Sequence, residues 1–439
     1  MKIRFFAPHI FIFLLLAFSP MVSVHAQLQC DNDTTGLKAL IDLQTGYYLG
    51  YQGGLYPGGK NQMPYAHLSA GMNISRSIMP LDTNGMIDLE DGKMGFICLG
   101  ASTAGNAFNH FKTVSEMDTT LNPCMKIANC AVGAKGLEIM IDTIANDWYW
   151  DDDIMGDVEG AGLNRRQVEV AWIMVTSRVD TVLIWPYQPQ SVADKYEALM
   201  AIMLAKFPNL KEVFISGFYY GGYADPDKEF YDMIYEPSSY WNNWSVKFVV
   251  QRQIEADPDL KYTYPGRKSA WISWGPPVWA DGMRANYKDG LRWNCLEDFN
   301  PDGGGYHLTN TGKDKIGELI YQFFKSSSVA ADWYRYSLRW DACDPTPRLA
   351  SAETPKPALG VFPQPLSDEG WYELKNIASG PVQVTICNAL GHVISSVALE
   401  ANDGYLTGPL SLPSQPPGMY FIIARTATES VTESFMIVR

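Results

Sequence analysis

From about residue 92 the chain repeats one pattern: a short apolar run stops on small or polar residues, and a longer amphipathic stretch follows. "KMGFICLGAS", "CMKIANCAVGA", "QVEVAWIMVTS" and "LKEVFISGFYY" are the runs. Each has the length of a strand and is apolar at successive positions, as a strand covered on both faces must be. Between the third and fourth, "SVADKYEALMAIMLAKF" carries apolar residues at helical spacing and is closed by "PNL". The alternation ends with a last amphipathic helix, "TGKDKIGELIYQFFK". Strands alternating with helices predict a three-layer α/β/α domain with a parallel sheet, over 91–334. Sites in such sheets lie at the carboxyl ends of the strands. The first run ends there on Ser102.

The flanks are of other kinds. Residues 1–26 have a basic start ("MKIR"), an apolar stretch and small residues before a cut after Ala26, the pattern of a removable secretory signal. Residues 27–90 are rich in Gly, Tyr and Asn and predict a loop-rich extension. Pro and Ser in "DPTPRLASAETPKP" suit a linker, placed at 335–357. Beyond it, from 358 to 439, short alternating runs joined by Gly, Asn and Pro predict a small all-β sandwich.

The formal net charge is −14 with no basic block, which argues against a nucleic-acid partner and against docking on an anionic membrane. Seven cysteines stand in an export context that permits disulfides, and an odd number leaves at least one free or paired between chains. Cys98 and Cys387 lie within strand-like runs and read as buried thiols, while Cys124 and Cys130 are close enough to bridge. No CxxC pair suggests zinc, and the acidic "WYWDDDIMGDVEG" fits no EF-hand spacing, so neither metal nor cofactor is expected.

Ser102 has two readings. Ser102 can be merely the cap of a helix that "STAGNAFNHF" begins, or it can be a nucleophile, which needs a base elsewhere. Of six histidines, His9 and His25 belong to the signal, and His67, His110 and His392 have no acidic neighbour within four residues. His307 lies in "CLEDFNPDGGGYHLTNTGKDKIGELIYQFF", after acidic residues and a Gly-rich turn.

A serine after the first strand and a histidine before the last helix resemble the SGNH (GDSL-like) hydrolases. "FPNLKEVFISGFYYGGYA", "WISWGPPVWADGM" and "DGLRWNCLEDFNPDGGGYHLTNTGKDKI" look like segments of a secreted bacterial branch of that group, over about 94–334. The resemblance implies a catalytic serine at Ser102, a base at His307 and an orienting carboxylate at Asp302, with Asp298 as the alternative. The Ser102 N–H and that of Gly133, in "NCAVGAKG", would form the oxyanion hole. The sequence departs from the family in three ways. Ala101 stands where an Asp precedes the nucleophile, and Asp302 and His307 are two residues further apart than usual. The Asn of the third oxyanion element is missing, leaving Thr176 or Ser177 to donate; "IANDW" reads as a surface loop.

The tail carries a second resemblance. "VFPQPLSD", "VTICNALGHVI" and "PPGMYFIIAR...ESFMIVR" look like the C-terminal sorting domain of the type IX secretion system of Bacteroidota, with Gln364 in place of the usual Asn. That implies the type IX machinery as a partner and a secreted or outer-surface location, with no transmembrane segment after signal cleavage. Together these imply a serine esterase acting on acyl, possibly acetyl, esters of glycans. The alternative is a non-catalytic relative that binds glycan or mediates adhesion. Trp271, Trp274, Trp279 and Tyr223 are offered as sugar-stacking aromatics at the site mouth.

Overall fold

A computed structural model describes residues 28–337 except 181 and 229, Cys343, and 357–438 except 363, 364, 367, 368, 402, 403, 413 and 414. The signal segment, most of the expected linker and Gln364 lie outside the described residues. The core is a three-layer α/β/α unit on a five-stranded parallel sheet. Its strands are β1 (Met94–Gly100), β2 (Met125–Asn129), β3 (Val168–Met174), β4 (Glu212–Ile215) and β5 (Trp271–Trp274), in the order β2-β1-β3-β4-β5. All seven residues of β1 and of β3 are buried, which explains their unbroken apolar runs.

The helices are α1 (Tyr65–Arg76), α2 (Ser102–Met117), α3 (Tyr187–Lys206), α4 (Ser238–Ile254) and α5 (Asn310–Ser326). The strand order reverses at β1, so the right-handed crossovers through α2 and α3 lie on opposite faces. α2 buries Ala104, Ala107, Phe108 and Phe111, and α5 buries Ile316, Ile320 and Phe324. These two helices pack together, and Gly317 makes the approach possible: a Cβ there would stand 2.7 Å from the Ala107 carbonyl oxygen. The pairing brings the start of α2 beside the loop that precedes α5. That juxtaposition builds the site.

The segment 27–90, expected as a loop-rich extension, is instead part of the same core where it is described. Its helix α1 presses Gly71 against the Trp271 ring. Lys247 on α4 donates to the carbonyls of Gly53 (3.0 Å) and Gly54 (2.9 Å), and Trp274 Nε1 donates to the Leu55 carbonyl at 2.8 Å. Burial lowers the Lys247 ammonium to about 8. Disulfides join Cys30 to Cys295 and Cys124 to Cys343. The expected Cys124–Cys130 pairing is thus corrected: Cys124 is taken by a cysteine 219 residues away, and Cys130 is a buried free thiol beside Cys98. Cys387 is also free and buried.

Two antiparallel sheets form the C-terminal β-sandwich. Strands β6 (Ala358–Phe362), β7 (Glu369–Lys375) and β10 (Tyr405–Ser411) make one; β8 (Gly380–Asn388), β9 (Val393–Ala401), β11 (Gly418–Arg425) and β12 (Ser430–Ile437) make the other. Val382, Val384, Ile422 and Ala424 fill the space between them with Leu374 and Leu410. The sandwich meets the α/β unit where the Arg76 guanidinium lies 3.4 Å over the Tyr405 ring and Lys375 pairs with Asp332 at 3.6 Å. No helix among the described residues is long and apolar enough to cross a membrane.

Candidate active site

Ser102 is the first residue of α2, and Ala101 is the extended residue that caps it. The reading of Ser102 as the helix cap is thus corrected: Ala101 takes that position, and the Ser102 hydroxyl makes no cap hydrogen bond. Ser102 Oγ lies 3.3 Å from His307 Nε2. The sharp exit from β1 needs Gly100, where a Cβ would come 2.5 Å from both the Met174 carbonyl oxygen and the Ala104 Cβ. At the start of a 16-residue helix the first N–H groups lack intrahelical partners and carry the positive end of the macrodipole. Negative charge developing beside Ser102 is stabilised there.

His307 is held by the loop before α5. Residues Pro301–Gly303 form a 3₁₀ turn, and Gly304 and Gly305 follow at φ +70° and +69°. These left-handed glycines absorb the two extra residues between Asp302 and His307. The turn leaves the Asp302 side chain exposed, with no hydrogen bond to His307, so the expected Asp302–His307 pair does not form. Asp298 does not replace it. Its buried carboxylate accepts from the Asn294 N–H at 2.7 Å and pairs with Lys315 at 2.6 Å, locking the base of the loop. The group that bonds the ring is the Gly303 main chain. Burial, and then the Lys313 charge, lower the His307 pKa below its ordinary value, and the Gly303 bond opposes them.

Gly133 is exposed in the turn after β2, while the next two residues, Ala134 and Lys135, line the cavity over Ser102. Among the described residues neither the Gly133 nor the Ala134 N–H donates to a main-chain carbonyl. Of the two candidate donors after β3, Thr176 lines the cavity, whereas the Ser177 hydroxyl is turned to Glu138 at 3.4 Å. The Asn-Asp pair of "IANDW" lies in a surface loop whose Ile144 is 92% exposed.

The cavity has a volume of about 120 Å³. Val175, Phe218, Phe230, Met233 and Ile234 give it an apolar wall beside Ser102 and His307. Arg178 is built into the rim, with its guanidinium 3.7 Å over the Phe230 ring and bonded to the Ala134 carbonyl. The sequence reading missed Tyr219. Its buried hydroxyl donates to the Tyr306 carbonyl and lies 3.4 Å from Thr103 Oγ1, linking the residues next to His307 and Ser102. Its position in "SGFYYGG", at the carboxyl end of β4, was the available signal.

The other described histidines have other partners. His67 is buried, stacked on Trp271 and bonded to the Ile272 carbonyl, and burial lowers its pKa to about 4. His110 pairs with Asp314 at 2.8 Å. His392 is exposed in the sandwich. Trp271, Trp274, Trp279 and Tyr223, expected at the site mouth, are all at most 3% exposed and belong to the core. Among the described residues Glu197, Asp257 and Asp259 bring three carboxylates together, but Arg252 and Lys268 already pair with two of them.

No family model and no curated protein matches the chain. Among solved structures, the gut microbial diltiazem-metabolizing enzyme BT4096 is similar over 71% of this chain and 72% of its own, at 10% identity and a TM-score of 0.29. The acetyl xylan esterase AlAXEase is similar over 52% of this chain and 98% of its own, at 13% identity and a TM-score of 0.23. Escherichia coli alpha-2-macroglobulin shares 18% identity at a TM-score of 0.17; the match covers 19% of this chain and only 8% of that one. Likenesses this low carry no argument about function, and what the chain does must be read from the site.

Proposed function

We propose that the chain is a serine ester hydrolase of SGNH type, exported to the medium or the outer cell surface. The observation that carries this reading is the 3.3 Å approach of Ser102 Oγ to His307 Nε2 at the start of α2, over an apolar cavity. A neutral hydroxyl attacks an ester poorly, so His307 takes its proton as the Oγ–C bond forms. Nε2 is the ring nitrogen that faces Ser102 Oγ and would accept that proton. The oxyanion meets the Ser102 N–H and one from the turn at 133–135, each such donor being worth about 3 kcal/mol in the transition state. His307 then gives its proton to the leaving alcohol. Water, activated by the same ring, releases the carboxylic acid and restores Ser102.

The alcohol assigned by the resemblance is a glycan hydroxyl. Two disulfides suit an oxidising compartment, and the terminal sandwich suits a type IX sorting domain. One observation favours the second reading, a non-catalytic glycan-binding surface protein: among the described residues no carboxylate is hydrogen-bonded to His307. Labelling with a fluorophosphonate probe decides between them. One adduct by intact mass, lost in Ser102→Ala and greatly slowed in His307→Ala, is the expected result. No adduct on folded protein overturns the hydrolase.

A further inference from the structure

We infer that the acyl group taken by this site is an aliphatic chain of four or more carbons rather than acetyl. The inference rests on the ester-hydrolase reading above and adds the identity of the acyl group. The cavity beside Ser102 is walled by Val175, Phe218, Phe230, Met233 and Ile234. Its volume of about 120 Å³ is several times the ~10–15 Å³ that one enclosed water needs on the same measure. An acetyl group would leave most of that wall without a partner, and an apolar wall does not hold ordered water in its place.

The segment that leaves the cavity wall carries exposed apolar side chains. Val175, Thr176 and Arg178 line it, and the chain then runs directly into Val179, Val182, Leu183 and Ile184, which are between 44% and 60% exposed. Tyr187 follows at 61%. Single exposed aliphatics are ordinary, but four of them between 179 and 184, next in the chain to the cavity wall, are not. Trp185, within the same stretch, packs against Tyr48, Tyr51, Trp241 and Trp244, so the set is anchored to the core. The occupant we assign to it is the distal part of the same acyl chain, whose first carbons fill the cavity.

Burying one methylene stabilises by about 0.8 kcal/mol, or about fourfold. On p-nitrophenyl esters, kcat/KM of the full chain is therefore expected to rise about fifteenfold from acetate to butyrate, and to rise again to octanoate. Leu183→Ser/Ile184→Ser should lower the octanoate-to-acetate ratio of kcat/KM about tenfold. Met233→Trp, which fills the cavity, should lower the butyrate-to-acetate ratio. Acetate preferred over butyrate and octanoate, or a strap variant that leaves the octanoate ratio unchanged, would overturn the inference. Fluorophosphonate labelling of Ser102 in the same preparation separates the two levels. An adduct with acetate preference sinks the acyl-chain assignment alone, and no adduct sinks the hydrolase reading with it.

Discussion

The Tyr219 hydroxyl donates to the carbonyl of Tyr306, the residue that precedes His307. Thr103, the residue after Ser102, stands 3.4 Å from the same hydroxyl. One side chain on the β4 exit thus ties both halves of the site. Tyr219→Phe keeps the ring packing on Trp293 and Phe299 and removes only this link. A lost hydrogen bond of about 1 kcal/mol predicts a fall in kcat of about fivefold, with KM nearly unchanged. Steady-state kinetics on an activated ester check it. A loss confined to KM would place Tyr219 in binding rather than positioning.

Gly305 predicts a larger effect. It sits at φ +69°, and a Cβ there would collide with the Tyr223 carbonyl oxygen. Gly305→Ala should displace the loop that carries His307 and lower kcat/KM at least a hundredfold, while heat-induced unfolding moves by only a few degrees. Gly156, where a Cβ meets nothing within 4 Å, is the control: Gly156→Ala should leave both unchanged.

Much of this arrangement is legible in the sequence, for physical reasons that also mark where legibility stops. Strands β1, β3 and β4 are buried on both faces, so each reads as an apolar run, while β2 at the sheet edge exposes Lys126 within its run. β5 is four residues set among Trp, Gly and Pro, and gives no such run. α4 has thirteen buried residues out of seventeen, including Asn242 and Asn243, whose amides are bonded to loop backbone. A helix buried nearly all round has no amphipathic period to read. The Ser102–His307 approach follows from the order of the motifs. The missing carboxylate does not, because the φ of Gly304 and Gly305 decides where Asp302 points. Cys124 misleads because chain proximity favours Cys130, whereas the fold carries Cys343 to it.

The cysteines give a direct chemical count. Two disulfides among seven cysteines leave three thiols, Cys98, Cys130 and Cys387, all buried. Alkylation of the native protein should add almost nothing, and alkylation after unfolding without reductant should add three groups by intact mass. Cys30–Cys295 pins the first described residues to the segment just ahead of the His307 loop. Closing so long a loop restricts the unfolded chain by about 5 kcal/mol. Reduction should therefore lower the melting temperature by ten degrees or more. Five or seven alkylated thiols on unfolded, unreduced protein would refute the pairing.

The acid limb of activity should lie low. His307 acts as a base only when neutral, and burial and then Lys313 lower its pKa below 6.5. The ring therefore stays neutral to more acidic pH than an ordinary histidine, and the inflection of kcat/KM should lie below pH 6.5. Lys313→Gln removes the repelling charge and should move the inflection upward. A wild-type inflection above 6.5 would mean that a carboxylate stands behind His307 in the working enzyme.

Stability should run the other way with pH, because of carboxylates at the opposite end of the sheet. Glu169 is fully buried on β3, paired with Lys211 at 2.9 Å, and burial raises its pKa from 4.5 to about 7. Glu212 on the neighbouring β4 is raised well above its ordinary value by burial, with Trp333 Nε1 donating to it at 2.9 Å. A carboxyl whose pKa is higher folded than unfolded contributes stability that is complete below about pH 4.5 and is lost as pH rises through the folded value. For Glu169 the window is pH 4.5 to 7, and the loss is about 3 kcal/mol. Urea unfolding across that window should show stability falling with pH. Glu169→Gln carries no titration, leaves Lys211 with access to water, and should flatten the slope while matching or exceeding the parent at pH 8. A slope that the substitution does not change would mean that Glu169 is already ionised at pH 4.5, with the Lys211 pair outweighing burial.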